Sequence, residues 1–409
     1  MDKLCFCSTT YGGYGIVRVG SLIPESYLLF VCPPSCGRHT SINAIQQGYK
    51  NKVSYLFFDE KELVLGTIED ELFDAVDDLL SQIGTRPKAF LVYLCCVLYL
   101  AGFDEESIKT GLTRRNPDIQ FQICLMNPVS ADTKHPPALT MQQRMYSMLD
   151  FNSPKENKLN FIGNNVPVEH QNEIYGVLKM CGVKVTRHVS ELKSFEEFRL
   201  MGKARWNLVI RPEAILAAKD LSLGMDFCFV PVSYDLVQIK EQYEQIFTML
   251  STRCSLDEYE SRAEAAIRKA LLVVRNRPVA VGASAVCRPF SLARALLGYG
   301  FCVTDIFGTD VALFEREAQK WILESAPDIV IHDIKDPSMV NKIGKCGNAE
   351  IAIGYDAGYF SGAKSVVDLI GDEGMFGYYG VELLMNRLVE SITDPKDLRT
   401  MIEAYGLVA

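Results

Sequence analysis

The chain has 409 residues, of which 48% are hydrophobic and 23% are charged. This composition is typical of a globular protein, and the length suggests two or three domains. A net charge of −9 without a long lysine and arginine run argues against nucleic acid as a partner. The longest uncharged apolar stretch, residues 89–103, is too short to span a bilayer, so we expect no membrane segment.

The start of the chain bears on its compartment. Met1-Asp2-Lys3 is not followed by the apolar segment of a secretory signal, so we expect a cytoplasmic protein. In a reducing compartment the thirteen cysteines are weak evidence for disulfide bonds. They are better evidence for thiolates that are available to a soft metal.

Short β-branched and aromatic runs alternate with longer amphipathic runs, a pattern typical of βα units around parallel sheets. The first set predicts a helix over 68–83 and strands at 27–31, 53–58, 89–94 and 120–126. The second predicts helices over 169–181 and 256–274 and strands near 158–163, 183–189, 207–210 and 227–232. The third predicts a last helix over 380–392 and strands near 278–282, 301–306, 328–332 and 351–354.

We therefore predict an α/β protein of three Rossmann-like domains with parallel sheets. The predicted boundaries are 1–155, 156–275 and 276–409. In such domains ligands bind beyond the carboxyl ends of the strands, where helix N-termini and backbone N–H groups gather. The turn after the strand at 278–282 would bind an anion through Ser284 and Arg288, or would simply pack tightly.

Cysteines cluster beside the strands of the first domain, in the pairs Cys5/Cys7, Cys32/Cys36 and Cys95/Cys96. Because the carboxyl ends of parallel strands meet at one edge of a sheet, we expect these groups to converge. Cysteine thiolates are the usual protein ligands of iron–sulfur clusters. The sequence therefore predicts an iron–sulfur site at this edge, with packing of the apolar core as the alternative role.

The chain resembles the nitrogenase component 1 family. That family has a cysteine before a glycine-bearing stretch, a second in a Gly-Pro-x-Gly-Cys turn after a strand, and a third that ends a later strand. Cys7, Cys36 and Cys96 occupy these positions here, with Cys95 as an alternative to Cys96. Cys32 stands where the family usually has histidine and is a candidate further ligand. The resemblance implies that these residues hold an iron–sulfur cluster, either four-iron or eight-iron and P-cluster-like.

The resemblance also implies an oxidoreductase subunit that reduces an unidentified substrate. Electrons would come from a separate ATP-hydrolysing iron protein, through a cluster at the interface with an identical or paralogous component 1 subunit. The chain has no Gly-x-x-x-x-Gly-Lys-Ser/Thr motif, so nucleotide hydrolysis would belong to that partner. A non-catalytic scaffold for metal-cofactor assembly and a ligand-binding protein whose cysteines only pack are the alternatives.

Three residues at strand ends are candidate walls of a substrate pocket: Arg211, His332 and Tyr355. Arg211 stands at about the position where nitrogenase has its cofactor-binding cysteine. No histidine follows His332, so the second ligand of that cofactor has no candidate either. We therefore expect no iron–molybdenum cofactor held in the way that nitrogenase holds it.

Overall fold

The computed structural model describes residues 4, 6, 15–46, 48–126, 136–222, 224–308 and 313–405. Its strands form three parallel sheets, and helices connect strands that follow one another in the chain. The predicted α/β class with parallel sheets is therefore confirmed. None of the helices in these ranges is long and apolar enough to cross a membrane.

Sheet A has the strand order β2-β1-β3-β4. Its strands are β1 (Ser26–Cys32), β2 (Val53–Phe57), β3 (Ala89–Cys95) and β4 (Gln120–Met126). Its helices are α1 (Gly15–Ser21), α2 (Pro34–Gln46), α3 (Glu60–Leu65), α4 (Ile68–Gln82), α5 (Cys96–Leu100), α6 (Glu105–Arg115) and α7 (Pro137–Tyr146). Strand β3 is buried along its whole length, because it is an interior strand of the sheet, and its sequence is a continuous apolar run.

Sheet B has the order β6-β5-β7-β8. Its strands are β5 (Glu156–Ile162), β6 (Val185–Arg187), β7 (Ala204–Val209) and β8 (Asp226–Phe229). The helices between them are α8 (Glu173–Met180), α9 (Phe195–Arg199) and α10 (Ile215–Leu221). Short 3₁₀ helices occur along the chain at Lys50–Lys52, Val189–Glu191, Leu200–Lys203, Pro212–Ala214, Leu313–Glu315 and Pro337–Asn341.

Sheet C has the order β11-β10-β9-β12-β13. Its strands are β9 (Val279–Gly282), β10 (Val303–Gly308), β11 (Val330–Asp333), β12 (Ile351–Ile353) and β13 (Ser365–Val367). The remaining helices are α11 (Leu236–Leu250), α12 (Asp257–Val274), α13 (Pro289–Tyr299), α14 (Arg316–Ser325), α15 (Tyr355–Ser361), α16 (Gly377–Thr393) and α17 (Leu398–Ala404).

The chain separates into two compact units. One contains Gly13–Asn165 and Val185–Phe229, and so holds sheets A and B around a continuous apolar core from Val19 to Met225. The other contains Met1–Gly12, Val166–Lys184 and Val230–Ala409, and so holds sheet C. The three domain boundaries derived from the sequence stay a prediction.

Candidate functional site

Two of the clustered cysteines end adjacent strands of sheet A. Cys32 is the last residue of β1 and Cys95 is the last residue of β3. Val31 is the register partner of Leu94, so Cys32 and Cys95 occupy the next step along both strands. Side chains at the same step of neighbouring parallel strands lie on the same face of the sheet. Cys32 and Cys95 are 0% and 2% exposed.

The segment after β1 positions Cys36 close to the end of that strand. Pro33-Pro34 forms a stiff turn, and its second proline opens α2, where a missing N–H costs no helical hydrogen bond. The backbone N–H of Cys36 donates to the carbonyl of Pro33 over 3.0 Å. Gly37 lets α2 lie against β2, because a Cβ at this residue would be 2.4 Å from Cε1 of Phe57. Cys36 is exposed in the first turn of α2.

The thiols at this edge influence one another electrostatically. Burial raises the pKa of Cys32 to about 12, and the neighbouring Cys36 and Cys95 raise it further. Burial also raises the pKa of Cys95, whereas backbone N–H groups at the start of α5 act in the opposite direction. Cys36 and Cys96 again add to the rise. In the absence of a cation, Cys32 and Cys95 are therefore neutral thiols at pH 7.

The donors at this edge match the chemistry of an iron–sulfur cluster. Thiolates are the ligands that such clusters take, and the N–H groups of Val97 and Leu98 interact with the sulfur of Cys95 in a way that stabilises its ionised form. Over the described ranges, no group of three or more His, Cys, Asp or Glu side chains is arranged to hold a metal ion. The match to a cluster therefore rests on the sulfur donors themselves and on their placement at the carboxyl edge of sheet A.

The predicted ligand set is only partly described. Cys7 lies outside the described residues, and its neighbour Phe6 donates its backbone N–H to a carbonyl of the unit that holds sheet C. Cys96 is half-buried and follows Cys95 as the first residue of α5. The structure brings Cys36 and the Cys95-Cys96 pair to the same edge of sheet A. The full ligand set of Cys7, Cys36 and Cys96 stays a prediction.

The candidate pocket residue Arg211 follows β7 in the unit that holds sheets A and B. Its guanidinium lies 3.0 Å from the carboxylate of Glu213. Burial favours the neutral form of Glu213, but Arg211 outweighs it and lowers the pKa of that carboxyl. The arginine therefore already has a counter-ion.

His332 in β11 is held by its neighbours in sheet C. Its Nε2 is 2.8 Å from the carboxylate of Asp305, and its ring stacks on Phe307 with a centroid distance of 4.6 Å. The sulfur of Cys346 lies 3.4 Å from Nδ1 and 3.9 Å from Nε2. Because these distances are so similar, the sulfur packs against the ring and is not in line with either nitrogen lone pair. The Cys346 thiol and the His332 imidazole are therefore not arranged as a nucleophile and its base.

Tyr355 begins α15 and its hydroxyl donates to Asp368 over 2.6 Å. Tyr355 also lines a cavity of about 360 Å³ together with Arg387 and Glu390. Arg211 belongs to the other unit. A common pocket for Arg211, His332 and Tyr355 therefore stays a prediction.

The sequence analysis missed a set of buried carboxylates at the carboxyl edge of sheet C. Asp356 is 0% exposed and accepts hydrogen bonds from the backbone N–H and the hydroxyl of Ser284, with the N–H 2.9 Å away. It also accepts the N–H of Ala357 over 2.8 Å. A Cβ at Gly282 would collide with Asp356, so the close approach requires glycine. Ser284, a candidate anion donor, is therefore already bonded.

Glu315 is a second buried carboxylate, and it caps the N-terminus of α13. Its carboxylate accepts the backbone N–H groups of Phe290 and Ser291 over 2.8 Å and 3.1 Å. Arg288 lies 3.8 Å from the same carboxylate. A protein carboxylate thus occupies the helix N-terminus that the sequence suggested for an external anion. An Asp or Glu gives the same sequence signal on a surface as in a buried cap, which is why the pattern did not reveal these residues.

The comparisons with known proteins agree with this fold. A family model for nitrogenase component 1 type oxidoreductases matches residues 14–393. No curated protein matches the sequence. The solved structure of nitrogenase Cp1 at pH 6.5 superimposes with a TM-score of 0.74 at 15% identity, over 93% of this chain and 92% of that one.

A second solved structure, nitrogenase Cp1 at pH 5, superimposes with a TM-score of 0.63 at 15% identity, over 97% of this chain and 90% of that one. At this level of identity the likeness to both structures shows the fold alone. The family match spans most of the chain and coincides with that fold. The chain therefore belongs to the nitrogenase component 1 type oxidoreductase family.

Proposed function

We propose that the chain is a nitrogenase-like component 1 subunit that binds an iron–sulfur cluster at the carboxyl edge of sheet A. The observation that carries the proposal is that Cys36, in the first turn of the helix after β1, and the Cys95-Cys96 pair, at the end of β3, follow adjacent parallel strands. Cys7 would supply a further thiolate. When bound, the cluster supplies one-electron transfer at low potential.

The protein's own contribution is to position the thiolates and to exclude water from one side of the site. Cys95 faces the apolar core, whereas Cys36 is exposed in the first turn of α2. The site therefore extends from the core to the surface, where an electron donor has access. The N–H groups at the start of α5 lower the cost of ionising Cys95.

A second subunit, identical or paralogous, is supported by exposed apolar side chains on α2 and α5, which carry cysteines, and on the neighbouring strand β2. Ile45 on α2 is 62% exposed, Phe57 at the end of β2 is 47% exposed, and Leu100 at the end of α5 is 70% exposed. Exposed apolar patches of this kind are typical of protein interfaces. Mass measurement of the anaerobically purified assembly distinguishes a homodimer from a heterodimer.

The electron donor in this proposal is a separate ATP-hydrolysing iron protein. Helix α6 follows the cysteines directly and ends in Arg114 and Arg115. Arg115 is held by Asp74 and Asp77, each 3.1 Å away, and lies 4.9 Å from the ring centroid of Phe73. Arg114 is exposed and is therefore the better residue for testing contact with a partner.

The test is the iron content and EPR spectrum of anaerobically purified variants. Cys36→Ala, and Cys95→Ala combined with Cys96→Ala, should abolish or convert the iron–sulfur spectrum. Cys181→Ala, at the end of α8 in the other unit, should leave the spectrum unchanged. Full iron content and an unchanged reduced-state signal in the first two variants would overturn the proposal.

A non-catalytic scaffold for metal-cofactor assembly is the second candidate function. It is favoured by Arg211, because a guanidinium paired with Glu213 stands at about the position of the cofactor-binding cysteine of nitrogenase. An enzyme would turn over a substrate when supplied with the iron protein and ATP. A scaffold would instead pass iron to an acceptor protein without turnover.

A further inference from the structure

We infer that the amino edge of sheet A holds a second binding site, for a small organic acid that carries two negative charges and a hydroxyl group. The site is a cavity of about 540 Å³, a volume typical of small-molecule sites. Its walls come from the start of β4, from α6 and from α9. The cavity lies at the opposite end of the strands from the clustered cysteines, so it is separate from the proposed cluster site.

The first argument is a buried carbonyl in the wall of the cavity. Gln122, in β4, lines the cavity and is 2% exposed. Its Nε2 donates to the backbone carbonyl of Arg144 over 3.3 Å and to the hydroxyl of Ser147 over 2.9 Å. Because a carbonyl can only accept, the first of these bonds fixes the orientation of the amide. Its Oε1 has no hydrogen-bond partner among the described residues, which is unfavourable unless a ligand or a water molecule donates to it.

The second argument is the charge of the cavity wall. Asp118 already has a counter-ion, because it accepts two hydrogen bonds from Arg86, over 2.6 Å and 2.9 Å. Lys88 and Lys109 also line the cavity, and neither makes an ion pair within the part of the chain that the structure describes. Two ammonium groups without carboxylate partners favour a ligand with two negative charges.

The remaining acidic side chains hold the walls in place. The carboxylate of Glu25 accepts the N–H of Phe195 over 2.8 Å, at the start of α9. The carbonyl of Glu25 accepts the N–H of Lys88 over 2.9 Å, and Glu196 lies 3.7 Å from Arg199. Glu25 has a φ of 54°, a left-handed conformation that is unfavourable for a residue with a side chain. The wall is therefore formed before a ligand binds, which lowers the entropy lost on binding.

The alternative is that only a water molecule bonds to Gln122 and that the two lysines are ordinary surface cations. A ligand with a hydroxyl group should then bind no better than the same acid without it. Isothermal titration calorimetry of the anaerobically purified full chain measures this difference. At about pH 8 both malate and glycerol 3-phosphate carry two negative charges, on two carboxylates in the first and on one phosphate group in the second.

We expect saturable binding of malate or of glycerol 3-phosphate at one site per chain, and the preferred probe identifies the source of the charge. Succinate is malate without the hydroxyl group, and propyl phosphate lacks the hydroxyl groups of glycerol 3-phosphate. Each should bind about tenfold more weakly than its hydroxylated counterpart, because the carbonyl of Gln122 loses its donor. Absence of saturable binding for both hydroxylated probes would overturn the inference, and so would equal affinities within both pairs.

Variants then test the residues. Lys88→Gln and Lys109→Gln should each weaken binding about tenfold, because each removes a charge-assisted hydrogen bond. Lys61→Gln, at an exposed residue of α3, should bind like the wild-type chain. Gln122→Met keeps the size of the side chain and should abolish the preference for the hydroxylated acid. If Gln122→Met does not fold, the paired probes on the wild-type chain still test the same carbonyl. Wild-type affinity in both lysine variants would contradict the assignment.

Discussion

The carboxyl edges of sheets A and C have the same parallel topology and opposite chemistry. At sheet C, Asp356 and Glu315 accept hydrogen bonds from the turn and the helix start that follow β9. At sheet A, Cys32, Cys36 and Cys95 have one another as electrostatic neighbours. Both edges gather polar groups because parallel strands end together. The side chains then decide the chemistry of the edge: buried carboxylates close it at sheet C, whereas thiols gather there at sheet A.

Removing a closing carboxylate at sheet C should have the largest effect on stability. Asp356→Ala leaves the N–H groups of Ser284 and Ala357 buried without an acceptor, which should lower the free energy of unfolding by about 3 kcal/mol. Chemical denaturation of the apo-protein measures this change. Asp328→Ala, at an exposed residue, should change it by less than about 0.5 kcal/mol. Equal stability of the two variants would show that the sheet C edge is not closed in this way.

A pair of glycine variants tests the cysteine edge. A Cβ at Gly37 would lie 2.4 Å from Phe57, and one at Gly111 would lie 2.6 Å from Phe73. Gly37→Ala and Gly111→Ala should therefore each lower the free energy of unfolding by about 1–3 kcal/mol through overpacking. Only Gly37→Ala should also lower iron retention, because it displaces the helix that carries Cys36. Equal iron retention in both variants would remove the role assigned to the α2–β2 contact.

The buried thiol of Cys32 should also affect how the stability of the apo-protein depends on pH. The pKa of Cys32 is about 12 in the folded chain, against about 8.5 for an unfolded cysteine. The folded state therefore binds more protons in this range, so stability should fall as the pH rises from about 8.5 towards 12. Cys32→Ala should show a shallower fall in alkaline denaturation curves. An identical slope would mean that Cys32 is not shielded from solvent.

The buried carboxyls at the edge of sheet C should also make the stability of the protein depend on pH, but at lower pH. Burial raises the pKa of Asp356 and Glu315 in the folded chain. Both carboxyls thus hold their protons more tightly when folded, so their contribution to stability is lost as the pH rises above about 4, the value of an unfolded carboxyl. Glu315→Gln should weaken this dependence in unfolding curves recorded between acidic and neutral pH.

The smallest expected effect concerns the partner. Arg114→Glu should slow electron transfer from an iron protein at low salt, and the difference should shrink at high salt because surface charges are screened. Iron content should be unchanged. Arg268→Glu, on α12 in the other unit, should leave the rate unchanged. The same rate for Arg114→Glu and the wild-type chain at all salt concentrations would exclude docking at this end of α6.

The sequence predicts individual elements better than their arrangement. Strand β4 has the predicted bounds, 120–126, because an apolar run lies between polar turns. Strand β13 was missed because Ser365–Val367 is too short to show a period. The strand order β2-β1-β3-β4 depends on pairing between distant residues, which no local pattern contains. The residues 166–184 show the same limit, since they join the unit of sheet C although their neighbours on both sides belong to the other unit.

The candidate site follows the same rule. Cys36 and Cys96, with Cys95 as the alternative to Cys96, could be named as candidate ligands because cysteine chemistry is specific, and their role stays a prediction. Asp356 and Glu315 could not, because only burial distinguishes a closing carboxylate from a surface one. The relation between Cys32 and Cys95 needed the strand register, which brings together residues from separate parts of the chain.

The continuous core of the unit that holds sheets A and B has a consequence for synthesis on the ribosome. Cys32, Cys36, Cys95 and Cys96 all precede residue 97, but buried residues as distant as Met225 complete that core. Domains fold as units when their last segment has emerged from the ribosome. The nascent chain therefore exposes these four thiols for more than a hundred residues of translation before the core around them can close.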